Sequence, residues 1–129
     1  MTIELANPAL LRPEAYINGE WIAADSGARL PVTNPATGEL ITDVAKAGAD
    51  ETKRAIEAAE IAMVTWRQQP AKQRAQVMRR WFDLIMANQE DLARIMTLEQ
   101  GKTLAESRGE VAYGASYIEW FAEQAKRID

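Results

Sequence analysis

The 129-residue sequence predicts two short β-hairpins followed by four α-helices. Three observations lead to that fold. Turn-forming residues and short apolar runs fill the first 48 positions. Apolar residues spaced three and four apart fill nearly everything after them. Pro70 and Gly101 then cut the helical stretch at places where helices start and stop.

The first hairpin lies in "AYINGEWIA", where Asn18-Gly19 separates Tyr16 and Ile17 from Trp21 and Ile22. Asn-Gly favours a two-residue hairpin because both central positions need positive φ. The second is "ARLPVT", the turn "NPATG", and "ELITDVA". Leu30 and Val32 alternate with other residues there, and Pro31 suggests an edge strand. Isolated hairpins are marginal in water, so the two are expected to dock on the helices or to complete a sheet supplied elsewhere.

The first helix is predicted over about 51–66, with Gly48 or Asp50 near its start and Ile56, Ala59, Met63 and Trp66 as its apolar stripe. The second begins at Pro70 and ends near Asn88, with Val77, Trp81, Leu84 and Ile85 as its apolar face. Asn88 is expected to cap the third helix, with Asp91 three residues on, and Leu92, Ile95 and Met96 as the buried side. Gly101 suits the left-handed residue that ends it.

"TLAE", 103–106, is a capping box that opens the fourth helix. Two apolar stripes follow at 100° per residue. Val111, Ala115, Ile118 and Ala122 are small and aliphatic; Tyr113, Tyr117, Trp120 and Phe121 are large and aromatic. A helix apolar on two sides is expected to be buried on both, the aromatic side against a pocket or an interface.

Composition narrows the chemistry. Hydrophobic residues at 47% and charged residues at 26% are ordinary for a globular protein. A net charge of −4, with basic and acidic residues interleaved, argues against nucleic acid. No apolar run is long enough for a membrane span. The opening "MTIELANPALLRPEAY" has no signal or transit pattern, so a cytoplasmic location is expected. The sequence has no Cys and no His, which removes thiolate nucleophiles, imidazole bases and common zinc sites.

Gly101-Lys102-Thr103 ends like a phosphate-binding loop. Such a loop needs a glycine at position 96 and a preceding strand. Met96 stands there, and "QEDLARIMTLEQ" has helical periodicity. The glycine is read as a helix end and Lys102 as a solvated turn lysine. Gly109 and Gly114 lie inside a helical pattern, so no dinucleotide fingerprint is present. Arg79-Arg80 reads as a solvated helix face.

Taken in order, "YINGEWIAADSG", "VTNPATGELI", "AAEIAMVTWRQQPAKQRAQVMRR", "LEQGKTLAES" and "GEVAYGASYIEWFAEQAKRI" resemble the N-terminal part of an aldehyde dehydrogenase. The likeness is greatest to the succinate-semialdehyde dehydrogenase branch and runs from about residue 16 onward. The resemblance implies an α/β parent protein, of which this chain would be an N-terminal fragment: a tail over 1–15, β-hairpins over 16–48, and a helical part over 49–129.

It further implies oxidation of an aldehyde, in particular succinate semialdehyde, to the acid with NAD or NADP. A Cys thiolate forms the thiohemiacetal and a Glu activates water. The parts that do this are implied to lie outside these residues, so the fragment alone is expected to be inactive. The implied partners are a small aldehyde, the remainder of the dehydrogenase chain, and further copies in a dimer or tetramer, with neither nucleic acid nor membrane.

Two groups of residues inherit roles from the resemblance. The backbone carbonyls of Val32 and Thr33 and the side chain of Glu99 are implied to hold a structural monovalent cation. Many relatives have Asp where this chain has Glu99, and Pro where it has Thr103. Glu110, Tyr113 and Tyr117 are implied to approach the substrate entrance, on the same aromatic stripe. The competing class is a free-standing helical module that binds a partner through the aromatic face of helix 104–127.

Overall fold

A computed structural model describes residues 4–127. The chain divides between Arg67 and Gln68 into two compact units. The first holds a 3-10 turn at Pro8–Leu10, the strands β1 (Ala15–Ile17), β2 (Glu20–Ile22), β3 (Arg29–Thr33) and β4 (Leu40–Ala45), and the helix α1 (Ala49–Trp66). The second holds α2 (Ala71–Ala87), α3 (Gln89–Gln100) and α4 (Leu104–Gln124).

Each hairpin is its own two-stranded antiparallel sheet. Asn18 and Gly19 both take positive φ, 51° and 82°, as the two-residue turn demands. The turn sets Tyr16 opposite Trp21, with ring centroids 5.1 Å apart. In the second hairpin the Asn34 side chain accepts from the Ala36 amide at 2.9 Å, and Gly38 turns with φ 74°. The register steps past Ile41, so that Val32 faces Thr42 and Thr33 faces Leu40.

Glu51, nearly buried, ties α1 to the strand region. Its carboxylate accepts from the Asp25 amide at 2.7 Å and from the Gly48 amide at 2.9 Å, closing the N-terminus of α1. These amides, Asp25's foremost, hold the Glu51 carboxyl below its ordinary range. Arg54 adds a bidentate pair to Asp25 at 2.7 and 2.8 Å. The stripe expected to bury α1 does not do so in this chain: Ile56, Met63 and Trp66 are exposed. Polar ties at its first turns hold the helix instead.

In the second unit α4 packs against α2 and α3. The contact is built from small residues: Ala75 of α2, Ala93 of α3, and Ser107, Val111, Ala115 and Ala122 of α4 are buried. Small side chains let helix backbones approach closely. The expected face of α2 is therefore corrected. Val77, Trp81 and Leu84 are exposed, and the helix turns Ala75 inward, with Arg74, Met78, Phe82 and Ile85 partly covered.

The cap at Asn88 is corrected too. Asn88 occupies the N-cap position of α3, but its amide donates back to the Leu84 carbonyl at 2.8 Å and caps nothing ahead. Pro70 is likewise the residue before α2 rather than its first. Gly101 ends α3 in the left-handed region at φ 81° as expected. The small-residue stripe of α4 is inside, while its aromatic stripe is exposed rather than buried, with Tyr113 65% and Trp120 62% accessible.

Candidate functional site

The site is built on α4, and local chemistry sets where that helix begins. The Glu106 amide donates to the Thr103 hydroxyl at 3.2 Å, and the Thr103 amide donates to the Glu106 carboxylate at 3.0 Å. The Thr103 hydroxyl also donates to that carboxylate at 2.9 Å. These bonds from Thr103, and the Lys102 charge nearby, hold the Glu106 carboxyl below its ordinary value. Residues 96–100 are helical, so the Gly-Lys-Thr run is a helix end followed by a capping box.

Side-chain links fix α4 on α3, among them the Gln89 amide, which donates to the Arg108 carbonyl at 3.0 Å. Buried Ser107 shares a hydrogen bond with Thr97 at 2.8 Å. Arg108 grips Glu90 at 2.8 and 2.9 Å, and Arg94 reaches the same carboxylate. The Arg108 guanidinium, helped by Arg94, lowers the Glu90 carboxyl to about 2.

With the helix so held, the three residues assigned to the substrate entrance fall on successive turns of one side. Tyr113 and Tyr117 stand edge to face, centroids 5.1 Å apart, with their hydroxyls 2.6 Å from each other. Tyr113 borders two depressions. One, about 330 Å³, is lined by Lys102, Glu106, Gly109, Glu110 and Tyr113. The other is a groove of about 750 Å³ along Tyr113, Ser116, Tyr117, Trp120 and Phe121, with Arg79 of α2 on its side. Arg79 is matched by Glu119 at 2.7 Å and Asp83 at 3.3 Å.

Lys102 is not the solvated turn lysine expected of it. Its ammonium pairs with Glu110, and its side chain is only 20% accessible. Periodicity along one helix holds no sign of that pair, because Lys102 belongs to the preceding turn. Arg79 was missed for a similar reason: it lies on another helix and reaches the groove through Glu119.

The residues assigned to a cation lie in different units. Val32 and Thr33 are on β3, beside the register step. Glu99 is exposed on the last turn of α3 and borders an apolar hollow with Ile95, Met96 and Val111. Among the described residues no three or more of His, Cys, Asp and Glu are grouped to hold a metal. Gly109 and Gly114 are interior to α4, and Gly101 is a helix cap. No step through NAD(P) is assigned to this chain. No helix among the described residues is long and apolar enough to cross a membrane.

Residues 21–129 fit the model of the aldehyde dehydrogenase family, and the chain belongs to it. It is 60% identical over 126 residues to the glutarate-semialdehyde dehydrogenase of Pseudomonas putida. It is 55% identical over the same length to the NADP-dependent succinate-semialdehyde dehydrogenase of Escherichia coli. Each match covers 98% of this chain and 26% of the relative, so the chain spans about a quarter of the length of the curated relatives it matches.

The fold agrees. A crystal structure described as an E. coli NADP-dependent enzyme superposes with a TM-score of 0.96 at 55% identity, covering 98% of this chain and 26% of that one. The succinate-semialdehyde dehydrogenase of Burkholderia pseudomallei gives 0.94 at 59% identity, with 97% and 26% covered. Two hairpins followed by four helices are thus a piece of the aldehyde dehydrogenase fold.

Proposed function

We propose that the chain is the N-terminal part of a cytoplasmic, oligomeric, NAD(P)-dependent aldehyde dehydrogenase that oxidises succinate semialdehyde to the dicarboxylic acid. The observation that carries this reading is the match over 98% of the chain to semialdehyde dehydrogenases at 55–60% identity. Chemistry of this kind needs a nucleophile, and the chain has no Cys. The thiolate that adds to the aldehyde, and the groups that hold the dinucleotide, are assigned to the rest of the parent polypeptide. The chain by itself is then inactive. What it contributes is a wall of the substrate entrance, formed by Glu110, Tyr113 and Tyr117 on α4. Their exposure along one side of the helix, bordering two depressions that share Tyr113, supports that role.

Glutarate semialdehyde, one methylene longer, is the second reading, favoured by the relative at 60% identity. A single methylene in a pocket changes selectivity by about 1–3 kcal/mol, so both compounds are expected to turn over at different efficiency. The test is the intact parent enzyme given each semialdehyde with NAD⁺ or NADP⁺, following cofactor reduction. Neither compound supporting reduction would overturn the reading.

A further inference from the structure

The chain has four asparagines, Asn7, Asn18, Asn34 and Asn88. Asn7 and Asn34 each precede a proline, which has no backbone N–H. Their side-chain oxygens are also engaged, accepting from the Ala9 amide at 3.2 Å and the Ala36 amide at 2.9 Å. Asn88 lies between two helices, and its carboxamide donates to the Leu84 carbonyl at 2.8 Å. Asn18 stands apart. It is exposed in the turn of the first hairpin and is followed by Gly19, itself exposed. A Cβ built on Gly19 would meet nothing within 4 Å, so the space around that residue is open.

Such a pair can close a ring. The Gly19 backbone nitrogen becomes a nucleophile once base takes its proton, and the Asn18 side-chain carbon is the electrophile. A C–N bond forms between them, the Asn18 Cγ–Nδ2 bond breaks, and Nδ2 leaves as ammonia. Water then adds to either carbonyl of the cyclic imide, leaving aspartate or isoaspartate, and nothing is oxidised or reduced. Glycine resists this closure least because it carries no Cβ. Asn18 and Gly19 stand at φ 51° and 82° in the closed turn. Ring closure needs rotation about the Asn18 ψ bond away from that turn, so it proceeds as the hairpin opens. Three residue pairs hold β1 on β2, and an isolated two-stranded ribbon is marginal in water. Tyr16 and Trp21, whose rings brace it, are both exposed.

We propose that Asn18-Gly19, at the tip of the first hairpin, is a site of spontaneous deamidation with water as co-reactant, whichever aldehyde the parent enzyme oxidises. The two products differ in what they do to the hairpin. Asp-Gly favours the same two-residue turn as Asn-Gly, so the aspartate product keeps Tyr16 opposite Trp21 and adds a negative charge to a chain already at −4. Isoaspartate routes the main chain through the side-chain carbon. The extra backbone atom lengthens the turn and takes Tyr16 out of register with Trp21.

The test incubates the intact parent enzyme, native and in guanidinium chloride, at mildly acidic and mildly alkaline pH. Peptide mapping by mass spectrometry, with fragmentation that separates aspartate from isoaspartate, follows all four asparagines. The expected result is progressive loss of Asn18 from the native enzyme, faster at alkaline pH because the Gly19 amide must lose its proton. Peptides holding Asn7, Asn34 and Asn88 stay unchanged over the same period. Native Asn18 that stays intact while the denatured enzyme converts there means that the fold shields the turn, and overturns the inference. Conversion at Asn88 as fast as at Asn18, a rate indifferent to pH, or no conversion under any of these conditions overturns it as well.

Discussion

Removing the hydroxyl of Ser107 tests how α4 is fixed on α3. Ser107 is completely buried, and its hydroxyl lies 2.8 Å from that of partly buried Thr97. Thr97→Val keeps the side-chain shape and strands the buried Ser107 hydroxyl, at a cost of about 1–3 kcal/mol. Ser107→Ala strands the less buried Thr97 hydroxyl and is expected near the lower end, about 1 kcal/mol. The double change leaves two apolar groups of similar shape facing each other and no polar atom deprived of a partner. Its cost should fall about 1 kcal/mol or more below the sum of the singles. Urea unfolding followed by far-ultraviolet circular dichroism measures all four proteins. With slopes of about 1–3 kcal/mol per molar, each single change should lower the midpoint by several tenths molar or more. Additivity of the two changes within about 0.5 kcal/mol would refute the latch between the helices.

Two further outcomes follow from the same contacts. Arg108 and Arg94 depress the Glu90 carboxyl from 4.5 to about 2 in the folded chain. Its contribution is present above its unfolded value and is lost as pH falls from about 4.5 toward 2, where the unfolded chain binds the extra proton first. Glu90→Gln should therefore flatten the acid limb of the stability profile in that window while leaving its shape near neutrality unchanged; an unaltered acid limb would contradict the assignment. Gly101→Ala places a Cβ at φ 81° and should cost about 1–2 kcal/mol in denaturant unfolding; a stabilising change would mean that the α3–α4 turn is not left-handed.

Features carried by a few neighbouring residues were legible in the sequence. The Asn18-Gly19 turn, the left-handed Gly101 and the Thr103–Glu106 capping box all follow from the conformations those residues prefer, and all are present. The failures concern partners distant in sequence. On α2, large apolar residues suggested a Val77/Trp81/Leu84 face, but α4 offers alanines and takes Ala75 instead. At Asn88 two helices competed for one side chain, and the carbonyl of Leu84 behind it won. The site divides the same way. Tyr113, Tyr117 and Glu110 could be placed on one side by helical spacing, whereas Lys102 joined Glu110 across the bend of a turn. The aromatic face was rightly singled out as unusual, yet amphipathicity alone could not show that this chain leaves it exposed.

The central claim is that this aromatic face of α4 is where an aldehyde approaches. A crystal structure of the intact parent enzyme with bound succinate semialdehyde, or with the unreactive dicarboxylate succinate in its place, examines that claim directly. The account predicts ligand density in contact with Tyr113 or Tyr117. A ligand bound elsewhere, with both tyrosines sealed beneath other parts of the protein, would contradict it.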